Sequence, residues 1–227
     1  MMWELFPAIL AAALGPLAAT TASAQDDPSI HMVTYVEVAP AARGQATTLL
    51  RQLASASRND AGVTRFEILQ RTAPSREFVI LESWKDQQAF DAHVASAHHK
   101  QFREAVGSHL IAPLDDRLSV PTLIGPSQTA SGGVVYVVTH VDVPGPVRDK
   151  GLAALTALSG PSRKDAGNLR FDVVHQKNRT NHFTVVEVWK DQRANDAHEL
   201  AAHTRAFRNA LTPITGALYD QRWYRPL

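Results

Sequence analysis

Glu82-x-Trp84, His93, His98 and Phe102 place a carboxylate, an indole, two imidazoles and a phenyl ring in one short stretch, and Glu187-x-Trp189, His198, His203 and Phe207 repeat the set. Imidazole titrates closest to neutral pH, so His98 and His203 are candidate general bases, with Glu82 and Glu187 to orient them or to bond a substrate hydroxyl. A quinol or polyphenol deprotonated by such a base is an electron-rich anion that can itself reduce dioxygen. Neither flavin nor metal is then required, and no cofactor is expected. Trp84 and Phe102, and in the second set Trp189 and Phe207, would hold a planar aromatic ring between them. His93, His198, Phe66 and Phe171 are assigned to the substrate with them.

Elements must bring these groups together. Alternation along Phe78–Trp84 puts Phe78, Ile80, Glu82 and Trp84 on one strand face, and Phe183, Val185, Glu187 and Trp189 repeat it. His98 and Phe102 lie four apart and share a helix face. His93, five residues before His98, would point about 140° away on a continuous helix. Both imidazoles reach one site only if the helix breaks near Ser96.

Sliding the chain by 105 positions aligns His31–Leu118 with Tyr136–Trp223 without a gap, and about a third of the pairs are identical. Ser57-Arg58-x-Asp60-Ala61-Gly62 recurs as Ser162-Arg163-x-Asp165-Ala166-Gly167, and Glu82-x-Trp84-Lys85-Asp86-Gln87 recurs as Glu187-x-Trp189-Lys190-Asp191-Gln192. A small domain is duplicated, over residues 30–124 and 134–227, with a Gly/Ser/Pro-rich linker at 125–133. In each copy a β-rich run (Met32–Val38, Val134–Val143) precedes a helical one (Ala41–Ser57, Val147–Leu158), the second stopping before Gly160-Pro161. Ser57-Arg58 and Ser162-Arg163 end these helices in turns completed by Gly62 and Gly167. Thr64–Gln70 and Glu77–Trp84 form a hairpin, Asp86 and Asp191 cap the next helix, and a last strand follows near Asp116–Ile124 and Leu218–Tyr224. The order β-α-β-β-α-β makes the fold α+β, two tandem ferredoxin-like domains. Each sheet has one face left uncovered by helices. The two copies should therefore pack sheet to sheet as an intrachain pseudo-dimeric α+β barrel, with further homo-oligomerisation left open.

The Ser57-to-Phe66 and Ser162-to-Phe171 segments, the two Glu-x-Trp-x-Asp motifs and the His-His-Phe sets resemble those of antibiotic-biosynthesis-monooxygenase domains of the dimeric α+β barrel superfamily, small quinol monooxygenases among them. The resemblance covers nearly the whole chain beyond the N-terminus, twice. It implies that the Glu82 face lies under the helices, making an aromatic-walled pocket, and that the chain is a monooxygenase. The superfamily also holds haem-degrading enzymes. This sequence departs from them, with His93 where their helix Trp would stand and Arg103 where their His would stand.

Other readings stay open. Glu82, His93 and His98 have the composition of a two-histidine, one-carboxylate iron site, although helical angle argues against it and no metal is expected. Glu82 could instead be paired with Arg65 or Arg103. The same aromatic walls would serve a non-catalytic binding protein for a small hydrophobic ligand. His31, His99, His109, His140, His175 and His182 have no matching histidine in the other copy and read as surface or incidental.

Composition narrows the field. The 227 residues are 44% apolar with a formal charge of +1, which gives no basic excess for nucleic acid, and there is no cysteine for thiol chemistry or disulfides. Residues 5–19 are apolar but interrupted by Pro7, Gly15 and Pro16, too short for a stable membrane span. With Ala22-Ser23-Ala24 they read as a signal peptide of residues 1–24, so the mature protein should be secreted or periplasmic.

Overall fold

The computed structural model describes residues 27–128 and 132–227; the expected signal peptide lies outside them. The first half runs β1 (Ile30–Glu37), α1 (Arg43–Ser57), β2 (Val63–Arg71), β3 (Glu77–Trp84), α2 (Gln87–Ala95), α3 (Ala97–Gly107) and β4 (Asp115–Leu123). The second half repeats this as β5 (Val135–Asp142), α4 (Arg148–Ser162), β6 (Asn168–Gln176), β7 (Arg179–Trp189), α5 (Gln192–Glu199), α6 (Ala202–Leu211) and β8 (Asp220–Pro226). Among the described residues no helix is long and apolar enough to cross a membrane.

All neighbouring strands are antiparallel, and they close into one barrel ordered β1-β3-β2-β8-β5-β7-β6-β4. The halves meet through two short ladders, Leu69–Arg71 against Tyr224–Pro226 and Ser119–Leu123 against Val173–Gln176. Stacked sheets would leave four edges exposed. Closure pairs them all. Val33, Leu69, Val79, Leu81, Val138, Val186 and Tyr224 fill the barrel interior. Helices cover the outside, where Leu50, Leu53, Phe78, Ile80, Trp84 and Phe102 form one core and Leu155, Leu158, Phe171, Phe183 and Phe207 the other. β3 and β7 are thus covered on both faces, which is why seven consecutive residues of each are buried, Glu82 and Glu187 among them.

Local sequence explains most of the boundaries. Asp86 and Asp191 cap α2 and α5, each accepting a 2.8 Å hydrogen bond from the backbone N–H three residues on. α4 runs on to Ser162, through the Gly160-Pro161 pair at which it was expected to stop. Ser159 and Ser162 are buried and donate to the carbonyls of Leu155 and Leu158 at 2.7 Å, so the last turn stays packed although proline removes one backbone donor.

Gly62 and Gly167 adopt φ of 85° and 89° in the turns after α1 and α4. A Cβ on Gly62 would also sit 2.7 Å from the Ala89 methyl, and one on Gly167 2.8 Å from that of Ala194. Gly62→Ala is expected to cost at least about 1–2 kcal/mol from the backbone alone. Urea unfolding checks this; a variant as stable as the wild type would show that the turn relaxes freely.

Candidate functional site

The helix covering the end of β3 does break at Ser96, which ends α2 and caps α3 with φ −64° and ψ 154°. The break turns α3 back so that His93 and His98, on different helices, face one carboxylate. That carboxylate belongs to Asp60, in the turn between α1 and β2. Asp60 Oδ2 accepts from His93 Nδ1 at 2.7 Å and from His98 Nε2 at 2.9 Å.

Behind His93 lies Glu82. Its Oε2 accepts from Trp84 Nε1 at 2.9 Å and stands 3.7 Å from His93 Nε2. The His93 ring stacks on Trp84 with centroids 4.6 Å apart and planes 29° apart, and Phe66 meets it edge-on at 5.7 Å. A line of groups results: Trp84, Glu82, His93, Asp60, His98. The second half rebuilds it with Trp189–Glu187 at 3.0 Å, Glu187–His198 at 3.5 Å, His198–Asp165 at 2.8 Å and His203–Asp165 at 2.9 Å.

Burial sets the proton inventory. Desolvation pushes the Glu82 carboxyl up to about 7 and that of Glu187 up to about 8, against the indole hydrogen bonds that favour their charged forms. Desolvation also lowers His93 and His198 despite their aspartate partners. The inner glutamate and histidine are therefore held towards neutrality. A carboxylate only accepts, so both imidazoles present N–H to Asp60, His93 from Nδ1 and His98 from Nε2, and the acceptor atom of a neutral His98 ring is then Nδ1.

The outer imidazole is the accessible one. The His98 side chain is 26% exposed and His93 only 1%. His98 borders a cleft between α1 and α3, about 160 Å³ in volume, that Leu49, Gln52, Leu53, Phe102 and Ala105 also line. An apolar cavity of about 150 Å³ holds benzene, so this one has room for a single aromatic ring.

Three readings of the sequence change. Trp84 and Trp189 are fully buried with a face covered by His93 or His198, so they are walls for histidine and do not clamp a substrate ring. Phe66 and Phe171 likewise pack on the buried histidines. Phe207 lies in the core beneath the helices, whereas Phe102, also part of its core, keeps an edge on the cleft beside His98. Glu82 is not paired with arginine: Arg65 turns to Asp172 at 3.5 Å and Arg103 to Asp116 at 2.7 Å. Several histidines read as incidental are built in, with His31 on Ser83 at 3.0 Å, His175 on Thr122 at 2.7 Å, His99 edge-on to His93, and His140 beside His182.

Asp60 and Asp165 are the residues that sequence reasoning left in a turn. Their signal was the recurrence of Asp within the Ser-Arg-x-Asp-Ala-Gly repeat. They also replace the glutamate in the metal reading: Asp60, His93 and His98, and Asp165, His198 and His203, each bring three possible ligand atoms within 4.8 Å of one another. The halves differ around this shared geometry. Phe90 packs on Trp84, whereas its counterpart Asn195 accepts from Trp223 Nε1 at 2.9 Å.

Residues 29–105 and 134–210 each match the antibiotic biosynthesis monooxygenase family. YcnE of Bacillus subtilis (strain 168), named as a monooxygenase, is 30% identical over 86 residues, 38% of this chain and 90% of YcnE. Two crystal structures named as monooxygenases share the fold. The one from Fusobacterium nucleatum subsp. nucleatum is 15% identical with a TM-score of 0.79, covering 88% of this chain and 92% of its own. The one from Lactobacillus acidophilus is 16% identical with a TM-score of 0.72, covering 88% and 94%.

Proposed function

The chain belongs to the antibiotic biosynthesis monooxygenase family, and from that premise we propose that it oxygenates a small quinol or polyphenol without a cofactor, once in each half. The observation that carries the reading is the Asp60 carboxylate tied to two imidazoles, the outer of which opens on a cleft of one-ring size. His98 Nδ1 takes the phenolic proton of a ring seated in that cleft. The Asp60 carboxylate, hydrogen-bonded to His98 Nε2, stabilises the imidazolium that forms, while buried His93 holds Asp60 in place from behind.

The aryloxide then supplies all four electrons that dioxygen needs. A quinol with a free ring position gains one oxygen atom there, loses two hydrogens overall and becomes a hydroxyquinone; the second oxygen leaves as water. No external reductant enters the balance. We also propose that residues 1–24 direct export, which N-terminal sequencing of the mature protein checks.

Oxygen uptake with a panel of quinols and naphthols tests the activity. The expected result is one dioxygen consumed per hydroxyquinone formed, without peroxide accumulation and unchanged by a chelator. Ligands that bind and raise the melting temperature while none consumes oxygen would make the protein a binding module instead.

A further inference from the structure

Barrel-inward positions at one end of β5 and β7 hold a second kind of site. His140 and Asp142 share the inward face of β5 with Val138, and His182 stands directly opposite Asp142 on β7. Asp142 Oδ1 lies 2.7 Å from His140 Nε2 and 2.7 Å from His182 Nδ1. Neither short contact has hydrogen-bond alignment: Asp142 Oδ1 is buried and accepts no hydrogen bond, and His140 Nδ1 is buried without a partner too. At Asp60 and Asp165, by contrast, equally short contacts are aligned hydrogen bonds.

The first half shows what this end of the barrel holds when histidines are absent. The counterparts of His140, Asp142 and His182 are Tyr35, Glu37 and Glu77. Arginine serves all three: Arg117 and Arg222 lie over the Tyr35 ring at 4.7 and 5.2 Å, Arg76 pairs with Glu37 at 3.1 Å, and Arg71 and Arg222 pair with Glu77. In the second half the positions of Arg71 and Arg76 are Gln176 and Asn181, and Asn181 is spent on the Val143 carbonyl at 2.7 Å. The change is concerted. Two imidazoles arrive around Asp142 where two guanidinium groups have gone.

We propose that His140 Nε2, the Asp142 carboxylate and His182 Nδ1 bind one divalent first-row transition ion, in the second half only. Two imidazoles and one carboxylate suit zinc, cobalt or iron and leave the remaining coordination positions to water. Tetrahedral zinc bonds of about 2.0–2.2 Å hold donors roughly 3.3–3.6 Å apart, so the two 2.7 Å contacts of Asp142 must open by somewhat under 1 Å, and all three donor atoms already lie within 4.8 Å of one another. The sheet separates this site from the helix-side histidines, so it is independent of the proposed oxygenation.

The test uses the full chain stripped with chelator and titrated with Co(II) or Zn(II), followed by calorimetry, the visible spectrum of bound cobalt and thermal unfolding. One equivalent should bind and raise the melting temperature. His182→Gln and Asp142→Asn should each abolish binding, whereas Asp60→Asn and Asp165→Asn should leave it unchanged. The two ligand variants melt independently of added metal if the site is assigned correctly, and their metal-free melting curves show that they fold. The proposal is overturned by absence of binding, by binding that survives His182→Gln and Asp142→Asn, or by two equivalents lost on changing Asp60 and Asp165.

Discussion

Replacing Asp60 and Asp165 together by asparagine is expected to lower quinol-dependent oxygen uptake by about 10²–10⁴-fold, the range that a positioned acid–base group contributes. Asparagine keeps the shape but not the charge. Asp60 Oδ2 accepts from two imidazoles at once, at 2.7 and 2.9 Å, and the second half repeats this at 2.8 and 2.9 Å. With a neutral amide, His98 loses both the counter-ion of its protonated form and the acceptor that fixes its tautomer. Each single variant should retain the share of the unaltered half, since no residue of one relay belongs to the other. Adding His98→Gln to Asp60→Asn should cost that half little more, because residues acting as one unit are non-additive. Steady-state oxygen uptake of the singles and the double decides. A double variant that keeps its rate would mean that deprotonation is done elsewhere, and loss of all activity from one single variant would mean that the other half is inactive.

The fold was largely legible because duplication shows each element twice. Alternation over Phe78–Trp84 grouped Phe78, Ile80, Glu82 and Trp84, the family resemblance implied that their face lies beneath the helices, and the structure has it there. Depth was not legible: neither alternation nor resemblance says that the His93 ring will cover Trp84. The barrel was expected from the duplication, but not the register that closes it, since the halves join through short ladders at strand ends, three register pairs long at Leu69–Arg71. The break at Ser96 follows from the need to bring two imidazoles together, but serine is not its cause. Ala201 stands at the corresponding position with no side-chain cap, and the helix breaks there with nearly the same φ and ψ. Asp60 escaped because its residue type suits the turn it occupies and its partners are 33 and 38 positions away. His140 and His182 escaped for the opposite reason. Recurrence between the halves was the filter for function, and a site belonging to one half cannot pass it.

Glu82→Gln and Glu187→Gln are expected to flatten the pH dependence of stability on the alkaline side. Burial is the largest cause of the raised carboxyl pKa values, about 7 for Glu82 and about 8 for Glu187 from an ordinary 4.5, and the indole hydrogen bonds only partly oppose it. A carboxyl raised in the folded state keeps its proton where the unfolded chain has lost it. Its contribution is fully present below about pH 4.5 and falls as pH rises through the folded value. The two carboxyls should therefore lower wild-type stability relative to the glutamine variant between about pH 5 and pH 8, by on the order of 3 kcal/mol for Glu82. Glutamine keeps the acceptor for the indole N–H and has no proton to lose, so the double variant should gain on the wild type over that window and exceed it at its upper end. His31, His93, His99, His140, His175 and His198, all lowered by burial, act in the other direction and at lower pH, and they do so in both proteins. Urea unfolding at several pH values separates the cases. Parallel curves for wild type and variant would show that neither glutamate holds its proton in the folded protein, and the neutral inner pair behind Asp60 would go with it.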